Sequence, residues 1–199
     1  MNARKKKMSK ALTIGAAIVL IALFFMIGFS PYGAHEKFDY KLVKVSIKID
    51  ASPVEVFTYL GNSDNAKEWS EFVDHITPLN PNERVDGEKG AIRRCFKNKE
   101  EDGEFWDEEI LVVEKNKYRQ LSCYNFQNFT MNADNLRTEQ IYTELDKEAT
   151  QLSFTLFFDP GKASFMDELK MYFAAYEIAS IFEKNLQNIK YCVESQKES

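Results

Sequence analysis

Asp107, Glu108 and Glu109 follow one another inside an otherwise apolar run from Phe105 to Val113. Side chains alternate along a strand. Trp106, Glu108, Ile110 and Val112 therefore share one face, and Phe105, Asp107, Glu109, Leu111 and Val113 share the other. Both faces are apolar beyond the acids, and the Trp106 face is the one expected to turn inward. Glu108 then enters the interior, where a carboxylate must be hydrogen-bonded, ion-paired or protonated. Arg93 or Arg94, on the neighbouring run, is the natural partner. The competing reading is a solvated charge at the sheet's edge or outer face. Glu177 is the second acid in apolar company, among Phe173, Ala174, Tyr176 and Ile181. It could hold the polar head of a ligand, with the Tyr176 hydroxyl orienting it. A helix edge exposed to water, with a tyrosine reaching the rim of the core, explains the same residues. Phe96, Trp106, Tyr124, Phe126, Phe154 and Phe173 are core by default. If the interior is hollow, they become its ligand-binding wall together with Glu108, Tyr176 and Glu177.

Other chemistry is thinly represented. The chain of 199 residues has two histidines, His35 and His75, and three cysteines, Cys95, Cys123 and Cys192, with no CxxC. An odd number at these spacings fits neither a disulfide framework nor a zinc site, and buried thiols are the plain reading. No zinc-protease, nucleophile-elbow, phosphate-loop or dinucleotide fingerprint occurs, so no catalytic residue, metal or cofactor is assigned. Asn128-Phe129-Thr130 matches the N-glycosylation triplet, which matters only in a eukaryotic secretory setting. The net charge is −5. The first 30 residues hold Arg4, Lys5, Lys6, Lys7 and Lys10 and no acid, so the rest is more acidic still. An acidic domain argues against nucleic-acid binding, which requires a basic face.

Ala11 to Phe29 is uncharged. At 1.5 Å per residue it spans a bilayer core of about 30 Å. A cleaved signal peptide is the alternative. Its apolar region is usually shorter and ends at a small-x-small site, and Tyr32 spoils the site here. An uncleaved signal anchor is expected. The basic cluster would stay cytoplasmic, and the following domain would lie on the extracytoplasmic side of a single-pass membrane protein.

These side chains need elements to position them. Tyr40–Asp50 alternates cleanly, with Val43, Val45, Ile47 and Ile49 on one side. Ser52-Pro53-x-Glu55 is a capping box with proline at the first helical position, opening a short helix to about Leu60. A second short helix runs from about Asp64 to Glu68. Strands are expected at 72–79, 90–98, 105–114, 118–126, 135–145 and 150–158, joined by hairpin turns into an antiparallel meander. Residues 127–134 form a loop carrying Phe129 and Met131. Ser164 to about Val193 reads as one long helix whose middle, Met171 to Phe182, is apolar nearly all round. Such a helix has to be covered on all sides, and a sheet curved around it is the simplest cover.

The order of these residues resembles a known superfamily. Val45-x-Ile47-x-Ile49 is followed by Ala51-Ser52-Pro53-x-x-Val56-Phe57-x-Tyr59-Leu60 and by Trp69-Ser70-x-Phe72-Val73. Gly87-x-x-Gly90, Trp106-Asp107-Glu108-Glu109-Ile110 and the long final helix complete the series. This resembles the SRPBCC superfamily, which is START-like and includes polyketide cyclase/dehydrase and lipid-transport proteins, over about residues 40–194. The resemblance implies an α+β helix-grip fold, a curved antiparallel sheet around the C-terminal helix. The expected organisation is a basic segment 1–10, a transmembrane anchor 11–30, a linker 31–39, the domain 40–194 and a tail 195–199. The resemblance also implies a cavity between sheet and helix that takes a hydrophobic small molecule or lipid. The Phe129/Met131 loop would either gate it or cap the core. Two other functions remain open. One is a cyclase- or dehydratase-like enzyme using Glu108, Arg94, Tyr124 and Glu177 as proton-handling groups. The other is a tethered interaction domain with no ligand.

Overall fold

Alternation carries most of this chain into strands, and the hairpin turns fix their pairing. The computed structural model describes residues 3–34, 41–129, 133 and 135–197. His35, most of the expected linker, Thr130 and Met131 lie outside the described residues, as does the proposed gate in part.

The elements in chain order are α1 (Ala3–Gly28), β1 (Gly33–Ala34), β2 (Lys41–Ile49), α2 (Pro53–Gly61), a 3-10 turn (Ser63–Asn65) and α3 (Ala66–Trp69). Six strands follow: β3 (His75–Pro78), β4 (Ile92–Phe96), β5 (Phe105–Glu114), β6 (Tyr118–Gln127), β7 (Leu136–Asp146) and β8 (Ala149–Phe158). The last element is α4 (Phe165–Ser195). The sheet runs β1-β2-β8-β7-β6-β5-β4-β3, antiparallel at every pairing. β3 to β8 are consecutive neighbours, and β2 joins the far edge against β8, so α2 and α3 bridge the two edges. The expected helix-grip is the observed architecture. The two-residue β1 is an addition: it pairs with the start of β2 inside what reads as linker.

Local chemistry sets the helix ends. Ser52 caps α2: its hydroxyl accepts from Glu55 N at 3.4 Å, while the Glu55 carboxylate accepts from Ser52 N at 2.7 Å. α4 opens with the same reciprocal arrangement between Ser164 and Asp167. The carboxylate also suits the positive end of the helix.

The core lies on the concave side of the sheet. Ile49, Val56, Leu60, Leu152, Phe154, Leu186 and Ile189 form one cluster, and Val43, Cys95, Trp106, Cys123, Phe158, Met171 and Ala175 form another. Along α4, Met171, Ala175, Leu186, Ile189 and Val193 recur at helical spacing and face the sheet. The expectation of cover on every side is corrected in part. The opposite side of the helix's middle is open: Tyr176 is 40% exposed, and Glu177 is exposed too. Two further elements hold this helix. Asn185 Oδ1 accepts from Glu71 N at 2.8 Å, and Asn188 Nδ2 donates to Trp69 O at 3.1 Å, which fastens the end of α3. On another side the end of α1 touches it: Ser30 Oγ donates to Tyr172 O at 2.7 Å, and the Tyr176 hydroxyl donates to Met26 O at 2.8 Å. Within α1, Lys10–Gly28 is long and apolar enough to cross a membrane, with a mean hydropathy of 2.6 and none of it buried.

Candidate functional site

Strand register decides which candidate side chains meet. β4 pairs with β5 so that Arg93 stands opposite Glu108, and Cys95 stands opposite Trp106. All four face α4, as the inward choice for Trp106 anticipated. Arg93 Nε lies 2.9 Å and Nη2 2.8 Å from Glu108 Oε2. Trp106 Nε1 donates to Glu108 Oε1 at 3.0 Å, and Cys123 Sγ stands 4.0 Å from the same oxygen. Both partners of the ion pair are buried, Arg93 at 7% and Glu108 at 8% exposure. Burial works against the Arg93 charge, and the Glu108 carboxylate beside it more than compensates, raising its pKa. The thiols of Cys95 and Cys123 are pushed well up by burial and then by Glu108, which keeps them protonated and inert.

The polar chain continues toward α2. Arg93 Nη1 donates to Ser63 Oγ at 3.3 Å, and Asp86 accepts from Ser63 N at 2.7 Å and from its hydroxyl at 2.8 Å. Beyond it lies Arg119, 1% exposed, bonded to Gly87 O, Gln140 and Tyr142. Of the charged groups here only Arg93 and Glu108 stand out in the sequence. Ser63, Asp86 and Arg119 are contributed by a turn, a loop and a strand far apart in the chain, and no local pattern links them.

Aromatic side chains flank the ion pair. The Trp106 ring centroid is 5.6 Å from Phe72, 6.0 Å from Phe129 and 6.5 Å from Phe126. Further along the interior, Phe154 packs edge-on against Trp69 at 6.1 Å and Phe182 at 5.8 Å. Trp69 Nε1 is buried there with no hydrogen-bond partner among the described residues. In the sequence Trp69 stands out only within the Trp69-Ser70-x-Phe72-Val73 series, because a missing partner is a property of packing.

The other expected wall residues lie elsewhere. Phe96 pairs with Phe105, so it sits on the convex face, stacked under His75 at 4.9 Å and beside Phe105 at 5.8 Å. Tyr124 is also on the convex face, opposite Asp107, and 38% exposed. Simple alternation puts Tyr124 and Phe126 together. A bulge at Asn125, whose φ is 54°, inserts one extra residue and turns Phe126 inward while Tyr124 stays out. Phe173 falls about half a turn from the Ala175 side of α4 and is half-buried there. Tyr176 and Glu177 are on the open side of the helix. Arg94 binds Asp107 on the convex face at 2.7 and 3.0 Å, and Asn125 Nδ2 adds a bond at 2.6 Å. Burial opposes the Asp107 charge, but Arg94 and Asn125 prevail and hold its pKa below the ordinary carboxylate value. Glu108, Arg94, Tyr124 and Glu177 therefore do not converge, and the arrangement that a four-residue proton-transfer site requires is absent from them.

His75 on this outer patch lies 2.9 Å from Asp74 and 3.1 Å from Glu101. The Asp74 bond, opposed by slight burial and aided by Glu101, raises its pKa above the ordinary histidine value. A raised folded-state pKa contributes stability that is fully present below the unfolded value of about 6.5 and lost as pH rises through the folded value. Urea unfolding should therefore show a stability difference between wild type and His75→Asn of under about 1 kcal/mol at pH 5.5 that vanishes at pH 8.5. An equal difference at both pH values would remove the ion-pair explanation.

Residues 41–194 match the family model described as "Polyketide cyclase / dehydrase and lipid transport". The chain belongs to this family. The SRPBCC resemblance and its extent thus hold. No curated protein matches the sequence. Solved structures share the fold at low identity. The protein XoxI from Bacillus cereus is 16% identical with a TM-score of 0.58, covering 78% of this chain and 97% of that one. Ara h 8.0201 is 10% identical with a TM-score of 0.57, covering 77% and 97%. The Zhui aromatase/cyclase from Streptomyces sp. R1128 is 15% identical with a TM-score of 0.54, covering 77% and 93%.

Proposed function

We propose that this family member is a membrane-anchored binding protein for a hydrophobic small molecule or lipid, held between the concave face of the sheet and α4. One observation carries the reading: the Trp69 indole N–H, buried beside Phe154 and Phe182 with no acceptor among the described residues. A buried donor without a partner costs about 1–3 kcal/mol. A mostly apolar molecule bearing one carbonyl or hydroxyl oxygen recovers that cost and gains the aromatic surface around it. Trp106, Phe126 and Phe129 form the wall nearer the ion pair, and Glu108, already engaged by Arg93 and Trp106, serves as a fixed polar end. Of the residues first expected to line the site, Trp106, Glu108, Phe126 and Phe154 belong to this proposal. Phe96, Phe173, Tyr124, Tyr176 and Glu177 do not.

The anchor is residues 11–30, with the basic N-terminus cytoplasmic and the domain extracytoplasmic. The bonds from Ser30 to α4 and from Tyr176 to Met26 support a domain seated directly on the membrane surface, where it receives its ligand from the bilayer. Tyrosine also suits that interface. Alkaline carbonate should leave the full-length chain in the pellet. Release of a product shortened by about 30 residues would instead indicate a cleaved signal peptide.

The Trp69 donor can be watched directly, because the chain has only two tryptophans. A Trp106→Phe variant assigns the two indole N–H resonances, and the Trp69 resonance is then followed in the wild type. Delipidated protein should show it at the upfield position of an unbonded indole, moving downfield when the total lipid extract of the expressing cells is added. A resonance that ignores the extract would remove Trp69 from the site.

A further inference from the structure

Arg119 is the one buried cation among the described residues that lacks a carboxylate within hydrogen-bond distance. Arg93, the other buried arginine, has Glu108. Arg119 Nε donates to Gly87 O at 3.2 Å, and Nη1 donates to Gln140 Oε1 at 2.8 Å and to the Tyr142 hydroxyl at 3.2 Å. The guanidinium lies over the Phe57 ring at 4.3 Å. Nη2 has no acceptor among the described residues. It stands beside Gly61, 3.2 Å from where a Cβ there would sit. That edge borders a depression of about 500 Å³ between α2, the loop Asp86–Glu88 and the turn at Lys115–Asn116, with Gly61, Phe57 and Arg119 in its wall. A buried guanidinium carries five N–H groups that must be satisfied or solvated. Here three are used and the remaining two face this depression.

The charges around it are mixed. Asp86 borders the depression, but both of its oxygens are taken by Ser63. Glu88 and Lys115 are exposed at the rim and oppose each other in sign. Burial pushes the Arg119 pKa down, and the neighbouring Arg93 adds to this, while Tyr142 and Asp86 act in the opposite direction. An added negative charge would relieve both unfavourable effects.

We propose that this depression binds a small oxyanion, a phosphate or a carboxylate, through Nη2 of Arg119, with the apolar part of its carrier against Phe57 and Val54. The site stands apart from the Trp69 interior and does not depend on that reading. Nη2 can give an oxyanion oxygen a charge-assisted hydrogen bond, and the missing Cβ at Gly61 leaves the room for it.

The test uses the full-length protein in a neutral detergent. Inorganic phosphate, and separately acetate, is added against sodium chloride at matched ionic strength, and thermal unfolding is followed. At least one of the two anions, or the anionic lipid phosphatidylglycerol, should raise the midpoint in a saturable way. Gly61→Ala puts a methyl group beside Nη2 at a helical position, so it should keep its circular dichroism and bind about tenfold more weakly. Arg119→Lys is a second variant with the same expected loss; if it fails to fold, Gly61→Ala decides alone. Short-chain phosphatidylglycerol and phosphatidylcholine, doped into the same micelles, separate the sources. A Gly61-dependent shift from phosphatidylglycerol alone assigns the site to an anionic lipid headgroup, and one from phosphate or acetate assigns it to a free anion. No shift with any of them, or equal shifts in wild type and Gly61→Ala, overturns the proposal.

Discussion

Glu108→Ala is expected to destabilise the protein by about 3–5 kcal/mol, the usual cost of stranding one member of a buried ion pair. Arg93 would remain inside with only the Ser63 hydroxyl at 3.3 Å, and the Trp106 N–H would lose its acceptor. For a domain of this size the melting midpoint should fall by about 6–20 °C. The companion variant separates pairing from packing. Arg93→Met combined with Glu108→Leu removes both charges and fills the space with apolar groups, and such replacements are often neutral or stabilising. The double variant should therefore be more stable than Glu108→Ala. If it is equally unstable, the loss comes from the shape of the interior and not from the unpaired guanidinium. Thermal and urea unfolding of the full chain in neutral detergent read both.

The second large effect belongs to Gly87. Its φ is 78°, a left-handed conformation that alanine adopts at a cost of about 1 kcal/mol. A Cβ would also lie 2.4 Å from Gly61 O, 3.0 Å from Gly61 Cα and 3.1 Å from Gly61 C. All three are backbone atoms of α2 and cannot swing aside. Gly87→Ala should cost about 2–4 kcal/mol in total, because the loop must part from α2. Gly161 supplies the control. Its φ is 75°, but nothing lies within 4 Å of its missing Cβ. Gly161→Ala should lose only the conformational part, about 1 kcal/mol. Equal losses at the two glycines would show that the Gly61 contact contributes nothing. The same loop carries Asp86 and the Gly87 carbonyl that holds Arg119, so Gly87→Ala should also weaken the anion binding inferred above.

The fold was largely legible in the sequence because its signals are local. Alternation marked the strands from β2 to β8, Ser52 and Glu55 marked the start of α2, and the uninterrupted apolar run marked α4. Glu108 was legible too, since an acid on the same face as Trp106 inside an apolar strand needs a partner and Arg93 is one strand away. What escaped was set by register and packing. One extra residue at Asn125 reversed the relation between Tyr124 and Phe126. Pairing with Phe105 sent Phe96 to the convex face. The long helix looked uniformly apolar because tyrosine, phenylalanine and alanine dominate its middle, yet only the Ala175 side meets the sheet. α1 covers part of the rest, a contact between segments about 150 positions apart. Trp69 and Arg119 stand out only for the partners they lack, and a missing partner is visible only once the neighbours are in place.

The reading of a ligand-binding interior is tested most directly by native mass spectrometry of the full-length chain, released from neutral detergent without prior delipidation. The expected result is one apolar molecule per chain, retained by wild type, lost on organic extraction, and largely absent from Trp69→Phe when that variant is prepared in parallel. A chain that flies only at its bare mass, and whose Trp69 indole resonance is unmoved by cellular lipid, would contradict a binding function. It would leave a tethered domain with a filled core.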